Sequence, residues 1–360
     1  MGKALESALS AIKKKYGETS VFKGSEKIAL EVETIPTGSL ALDAALLVGG
    51  YPKGRIIEVS GPESGGKSFL CLMAIKQAQK QGIKCAFIDA EHTLDRRWCT
   101  QLGINVDELL IAQPDSFEEA LNIIMLLAKS GEVGLIVFDS VPSLPTKAES
   151  DKEIGEATIG THARILTVAL RKMTPLFHEQ GVTGLFINQL RDKIGGYGNP
   201  ETTPGGRALK HGASVRIGVT RVGGSDIKEG ERLIGHRIRA KVKKNKVSTA
   251  QGVDVEFTIF YSQGIDWTDE IMTVGLQTGI IVRVNKSTYA IGKETFRGQD
   301  AVAEYLKKNP DVVKDLEVKV KEAMKNGIVR APEVLTTDTD TSDDSDEVLG
   351  KDEDFLKLEE

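Results

Sequence analysis

Eight consecutive residues carry the most specific chemistry in this chain. Gly61-Pro62-Glu63-Ser64-Gly65-Gly66-Lys67-Ser68 matches G-x4-G-K-[ST] in full, with Phe69 next in line. Glycines at these positions let successive backbone N–H groups curl around phosphate oxygens, and a helix starting there adds its positive dipole. In that geometry Lys67 reaches the β- and γ-phosphates of ATP and the Ser68 hydroxyl ligates Mg2+. Such a cradle needs a second acid that holds the metal through water. Leu135-Ile-Val-Phe-Asp139-Ser140 supplies it, an apolar run ending in a carboxylate. Without the cradle, Asp139 would read as a cap on the next turn. A third run ends in Asp89-Ala-Glu91-His92, and a carboxylate beyond that strand tip can orient and deprotonate an attacking water. Glu91 is preferred to Asp89 because it lies further out, while His92 reads as packed or solvated.

These groups require a scaffold that delivers several strand ends to one place. Apolar β-type runs at 55–60, 85–91, 134–140, 184–189 and 213–220 alternate with helix-period segments at 68–81, 116–129 and 162–179. Continuous apolar strands separated by helices predict an α/β fold, a mostly parallel central sheet flanked by helices on both faces. Segments 237–247 and 253–261 look antiparallel and extend one edge. Leu5, Leu9 and Ile12 form one stripe of a short N-terminal helix, too short to stand alone, which packs on its own core or on a neighbouring subunit. Four segments result: 1–31 (helix and linker), a core over 32–265, a small α/β unit over 266–330, and an acidic tail over 331–360.

The 360 residues are 40 % apolar and 28 % charged, values of a globular protein. No apolar stretch reaches the roughly 20 residues needed to span a bilayer, so no membrane partner is expected. Three cysteines without metal-ligand spacing suggest a reducing, cytoplasmic setting. From Thr336 to Glu360 eleven acids face two lysines, leaving 45 Lys/Arg against 41 Asp/Glu before them. A basic body with an acidic tail suits a polyanion binder whose tail competes for the basic surface, or merely a solubilising tail. Residues 151–164 and 190–210 are glycine-rich and polar and follow strands that already carry the nucleotide. The second stretch offers Arg191, Lys193, Arg207 and Lys210 to phosphates, and Gly205-Gly206 for close backbone approach.

Taken together, the motifs resemble those of RecA-type recombinases. The resemblance rests on Ile35-Pro-Thr-Gly-Ser-Leu, Gly49-Gly50-Tyr-Pro-Lys-Gly54-Arg55, GPESGGKS, FIDAEHTLD, Gln113-Pro-Asp115 and VFDSVPSL. It continues through ALRKMT, FINQLRDKIGGYGNPETTPGGRALKHGASVR and KVKKNK, so that only the tail lies outside it. It implies a RecA-like P-loop ATPase core with an N-terminal helix and a small C-terminal domain. Glu91 then matches the catalytic glutamate and Asp139 the Walker B acid. Asp95 and Trp98 match the pair that reads adenine, Trp98 standing for a tyrosine. Gln189 matches a γ-phosphate sensor at the entry to the second DNA loop. Lys244 and Lys246 match lysines that reach the neighbour's ATP, so that hydrolysis requires assembly.

By the same resemblance the two glycine-rich stretches are the DNA loops. Ile159 and Ile194 match wedges between base triplets, while Arg164, Arg171 and Lys172 match backbone contacts. Arg239 and Lys241 match a second site that receives duplex. The implied activity is that of a DNA-dependent ATPase that forms a helical filament on single-stranded DNA and exchanges strands with duplex. Recombination, repair of DNA damage and the SOS response follow, with single-strand-binding and mediator proteins as further partners. A ring-forming motor such as a helicase, or a nucleotide-binding regulator of another recombinase, remain the alternatives. The chain departs from the family in a second loop one residue shorter, in Pro204, and in His211-Gly212 at an aromatic interface pair. That puts the strength of cooperativity in question. Deleting Thr336–Glu360 separates the two readings of the tail. A competing tail predicts tighter, still salt-dependent duplex binding in a filter or anisotropy assay, and a solubilising one predicts unchanged affinity.

Overall fold

The computed structural model describes residues 2–17, 20–21, 32–153, 160–192, 201–202 and 208–325, with backbone alone at 191–192, 201–202 and 325. Its centre is a large sheet whose strands lie in the order Leu109–Ala112, Lys84–Asp89, Val133–Asp139, Thr183–Gln189, Ile56–Gly61, Val215–Arg221, Arg232–Asn245, Asp254–Phe260 and Gly264–Ile265. The first six run parallel and the last three pair antiparallel, as expected from the sequence. The Arg232–Asn245 strand begins five residues earlier than its apolar pattern suggested, and Ile227–Glu229 pairs with its start.

Alternation along each strand sorts the side chains onto two faces. Ile57, Val59, Leu135, Val137, Leu185 and Ile187 pack with the Lys67–Lys80 helix on one face. Ile56, Ile136, Phe138 and Phe186 pack on the other with the helices Phe117–Lys129 and Thr161–Gln180. Both faces are thus buried, which is why these strands read as unbroken apolar runs. Helix starts are set by side-chain caps: Ser116 accepts from the Glu119 N–H, and Asp266 from the N–H groups of Thr268 and Asp269. The Lys3–Tyr16 helix buries none of its residues, leaving Leu5 and Tyr16 more than half exposed.

Beyond Gly264–Ile265 come the helix Trp267–Thr278, a three-stranded antiparallel sheet (Ile281–Arg283, Thr288–Ile291, Glu294–Arg297) and the helices Gln299–Lys308 and Pro310–Lys325. Ile271, Val274, Val302, Leu306 and Val320 of this unit join the same apolar cluster as the core. Two carboxyls are sealed where the unit meets the helix Leu40–Leu46. Glu270 accepts from the Ser39 hydroxyl (2.7 Å) and from the Ala41 N–H (2.8 Å), and Asp43 accepts from the Thr37 N–H (2.8 Å). Burial pushes Glu270 from 4.5 up to about 8 and Asp43 from 3.8 up to about 7. The folded chain therefore keeps protons there that the unfolded chain has already released, so stability falls as pH rises through about 5 to about 8. In calorimetry the melting temperature is expected to drop across that window. Glu270→Gln, whose amide can serve the same two partners, should flatten the slope. An unchanged slope in the variant would contradict this assignment.

Candidate functional site

Register brings the chemistry together. Gly61 lies opposite Gln189 and Asp89 opposite Asp139, so the C-terminal tips of four parallel strands form one edge. This is where open α/β sheets bind ligands. Pro62–Gly66 turns from the Ile56–Gly61 strand into the Lys67–Lys80 helix, with Ser64 at φ 55° and Gly66 at φ 94°. Positive φ at Gly66 is inexpensive without a Cβ. Glu63 stands exposed on the turn.

Lys67 is buried, and its ammonium donates to the Pro62 carbonyl at 2.5 Å, across the loop. Burial pushes its pKa down, while Asp139, Glu91 and Glu63 pull it back up. The Ser68 hydroxyl donates to Asp139 Oδ2 at 2.5 Å. Burial lifts Asp139 to about 6, the Ser68 hydrogen bond lowering it and the charge of Glu91 raising it. A hydroxyl and a buried carboxylate side by side, next to free backbone N–H groups at a helix start, suit a hard divalent cation and the phosphates it accompanies. The residues present fit Mg2+.

Asp89 and Glu91, which the sequence left in competition, have separate tasks. Asp89 is buried and accepts from the backbone N–H groups of Thr93 (3.1 Å) and Leu94 (3.3 Å) and from Gln113 Nε2 (2.9 Å). It shapes the turn. Glu91 is exposed, and its Oε1 accepts from Ser140 Oγ (2.6 Å), Ser143 Oγ (2.8 Å) and Gln189 Nε2 (3.2 Å). His92, at φ 55°, is exposed. Ser140, expected among the ATP-binding residues, is fully buried and faces Glu91.

The pocket beside the cradle is lined by Ser64–Phe69, Trp98, Arg221, His236, Ile259 and Tyr261. Trp98 Nε1 donates to the Tyr261 carbonyl at 2.6 Å, and its ring lies 6.4 Å from that of Phe69. Asp95 caps the helix Arg96–Gln101, accepting from the N–H groups of Arg97 and Trp98. The sequence reading missed Arg221, which ends the Val215–Arg221 strand, His236 within the Arg232–Asn245 strand and Tyr261 just past Asp254–Phe260, with no spacing signal among them. It also missed Glu58, fully buried and held by Asn188 Nδ2 (3.0 Å) and by Arg216. A carboxylate inside the apolar run RIIEVS was the available clue.

Lys244 and Lys246 do not line this pocket. Lys244 Nζ donates to the carbonyls of Lys210 (2.8 Å), His211 (3.2 Å) and Ala213 (2.7 Å), at the end of the short helix Ala208–Gly212. Arg164, Arg171 and Lys172 lie exposed along the Thr161–Gln180 helix. Arg239 pairs across the sheet with Glu256 (2.6 Å) and Lys241 with Asp254 (3.4 Å), so both are ion-paired on an exposed face. Ile159, Lys193, Ile194, Gly205, Gly206 and Arg207 lie outside the described residues, as does the side chain of Arg191.

The RecA N-terminal domain family matches residues 3–266. Protein RecA of Thermus aquaticus is 44% identical over 333 residues, covering 92% of this chain and 97% of the relative. Protein RecA of Cutibacterium acnes is 46% identical over 319 residues, 88% and 91% of the two chains, and that of Caulobacter vibrioides 45% over 323 residues, 89% and 90%. With a matching family over nearly three quarters of its length and relatives of this similarity over about nine tenths, the chain belongs to the RecA family.

Proposed function

We propose how this RecA-type recombinase, a DNA-dependent ATPase of recombination and repair, uses the residues described above. Lys67 and the backbone N–H groups of the Glu63–Ser68 turn hold the triphosphate of ATP. Ser68 ligates Mg2+ and Asp139 holds it through water; the ion supplies charge neutralisation on the phosphates. Asp95 and Trp98 frame the base, with Tyr261 as the opposite wall. Glu91 orients a water in line with the γ-phosphate and accepts its proton.

One observation carries this reading: Gln189 reaches Glu91 at 3.2 Å and is the last residue of its strand, directly before the second glycine-rich stretch. A side chain shared by the hydrolytic carboxylate and the start of a DNA loop lets each report on the other. Arg164, Arg171, Lys172, Arg191, Lys193 and Arg207 meet the phosphates of single-stranded DNA, Gly205 and Gly206 allow close approach, and Ile159 and Ile194 separate base triplets. Arg239 and Lys241 receive duplex once their ion pairs open. None of these contacts reads base identity, which leaves recognition to base pairing.

Lys244 and Lys246 complete the neighbour's pocket in a helical filament. The exposed stripe of the Lys3–Tyr16 helix packs on that neighbour. The segments 1–31, 32–265 and 331–360 then serve assembly, catalysis with DNA binding, and charge competition, while 266–330 packs as a small unit on the core. A cytoplasmic setting accords with three buried free cysteines, Cys71, Cys85 and Cys99, and among the described residues no helix is long and apolar enough to cross a membrane. Single-strand-binding and mediator proteins are further partners.

Lys67→Ala should cut hydrolysis on single-stranded DNA at least about a hundredfold, the scale of losing a charge aimed at the transferred phosphoryl; normal turnover would remove the P-loop assignment. Leu5→Asp with Ile12→Asp should abolish helical filaments in electron micrographs and the DNA-stimulated rate, with nucleotide binding retained. Filaments of normal length would contradict the helix's role in assembly.

A further inference from the structure

Glu91 has more partners than meeting a water and a phosphate requires. Ser140, Ser143 and Gln189 all reach the same oxygen, Oε1, and the two serine oxygens lie 2.6 Å from each other. Each hydroxyl carries one proton to donate. Two oxygens at that separation need a proton between them, so one serine donates to the other and that one donates to Glu91. The result is a short chain in which each bond polarises the next, rather than two independent bonds.

The three partners differ in how firmly they are held. Ser140 is fully buried and directly follows Asp139. The turn around it is tied to neighbouring strands: the Val141 N–H donates to the Ile187 carbonyl (3.0 Å), the Ala90 N–H to the Asp139 carbonyl (2.8 Å), and the Ser143 N–H to the Ser140 carbonyl (3.2 Å). The serine pair is therefore fixed to the tips of three strands. Gln189 is partly exposed at the end of its strand, where the chain leaves the sheet.

We propose that Ser143, acting through and beside Ser140, is a positioning residue that keeps Glu91 aimed when Gln189 leaves it for the γ-phosphate. Gln189 is the releasable partner and the serine pair the permanent one. The inference deepens the function proposed above and rests on Glu91 being the general base. Removing the Ser143 hydroxyl leaves Glu91 with Ser140 alone once Gln189 departs. The carboxylate then spends less time in line, and the chemical step slows. Nucleotide binding, which uses Lys67 and the loop amides, is untouched.

Steady-state ATP hydrolysis by the full chain, with Mg2+ and saturating single-stranded DNA, tests this. Ser143→Ala should lower kcat by about three- to tenfold at unchanged KM, the pattern of an interaction made only in the transition state. Ser143→Thr, which keeps a hydroxyl on the same carbon, should restore kcat to within about twofold. A wild-type kcat in Ser143→Ala, a KM that rises in step with the loss, or a Thr variant as slow as Ala would each overturn the proposal. Glu91→Gln separates the two layers. If it is inactive while Ser143→Ala is normal, only the positioning role falls; if it turns over normally, the reading of Glu91 itself falls.

Discussion

Gly61 is the point on which the site depends. A Cβ there would lie 1.9 Å from the Val219 carbonyl oxygen, so no other residue lets the strand tip turn into the phosphate cradle at this place. The same residue stands opposite Gln189, and its carbonyl accepts the Leu190 N–H at 3.2 Å. The backbone that begins the cradle is thus bonded to the backbone that leaves for the second glycine-rich stretch. If that stretch meets DNA as proposed, coupling to the nucleotide needs no long relay, because the two begin one hydrogen bond apart.

A second constraint is charge. Lys67 and Arg221 line the pocket, and Lys244 and Lys246 do not line the pocket of their own protomer. Lys244 is instead bound to three carbonyls at the end of the helix Ala208–Gly212. Those carbonyls lie at the end of the second glycine-rich stretch, so Lys244, proposed to serve the neighbour's phosphates, is bonded where that stretch ends. His211 stands at this junction, where the sequence departs from the family's aromatic pair.

How much of this was legible in the sequence follows from the range of the interactions. The cradle, Asp139 and the parallel core were readable because each is a local pattern: eight contiguous residues, or an apolar run ending in an acid. The choice between Asp89 and Glu91 was readable only as a preference, since what separates them is Gln113 and two turn residues, Thr93 and Leu94, closing on Asp89. Four-residue Leu109–Ala112 and six-residue Arg96–Gln101 were too short to show a period. Arg221, His236 and Tyr261 were invisible because nothing in their spacing says that the Val215–Arg221 strand and the two antiparallel strands beside it bring them to the nucleotide pocket. Ser143 was in view within VFDSVPSL, but its role depends on a carboxylate 52 residues earlier.

The central claim is that one complete hydrolytic site is built from two protomers. Mixing two inactive variants measures this directly. Lys67→Ala lacks its own cradle charge but lends intact Lys244 and Lys246, while Lys246→Ala keeps its cradle but lends Lys244 alone. In an equimolar mixture on single-stranded DNA, random head-to-tail order should regenerate complete sites at about a quarter of the interfaces, with ATP turnover rising accordingly above either variant alone. A mixture as inactive as its components would contradict the shared site.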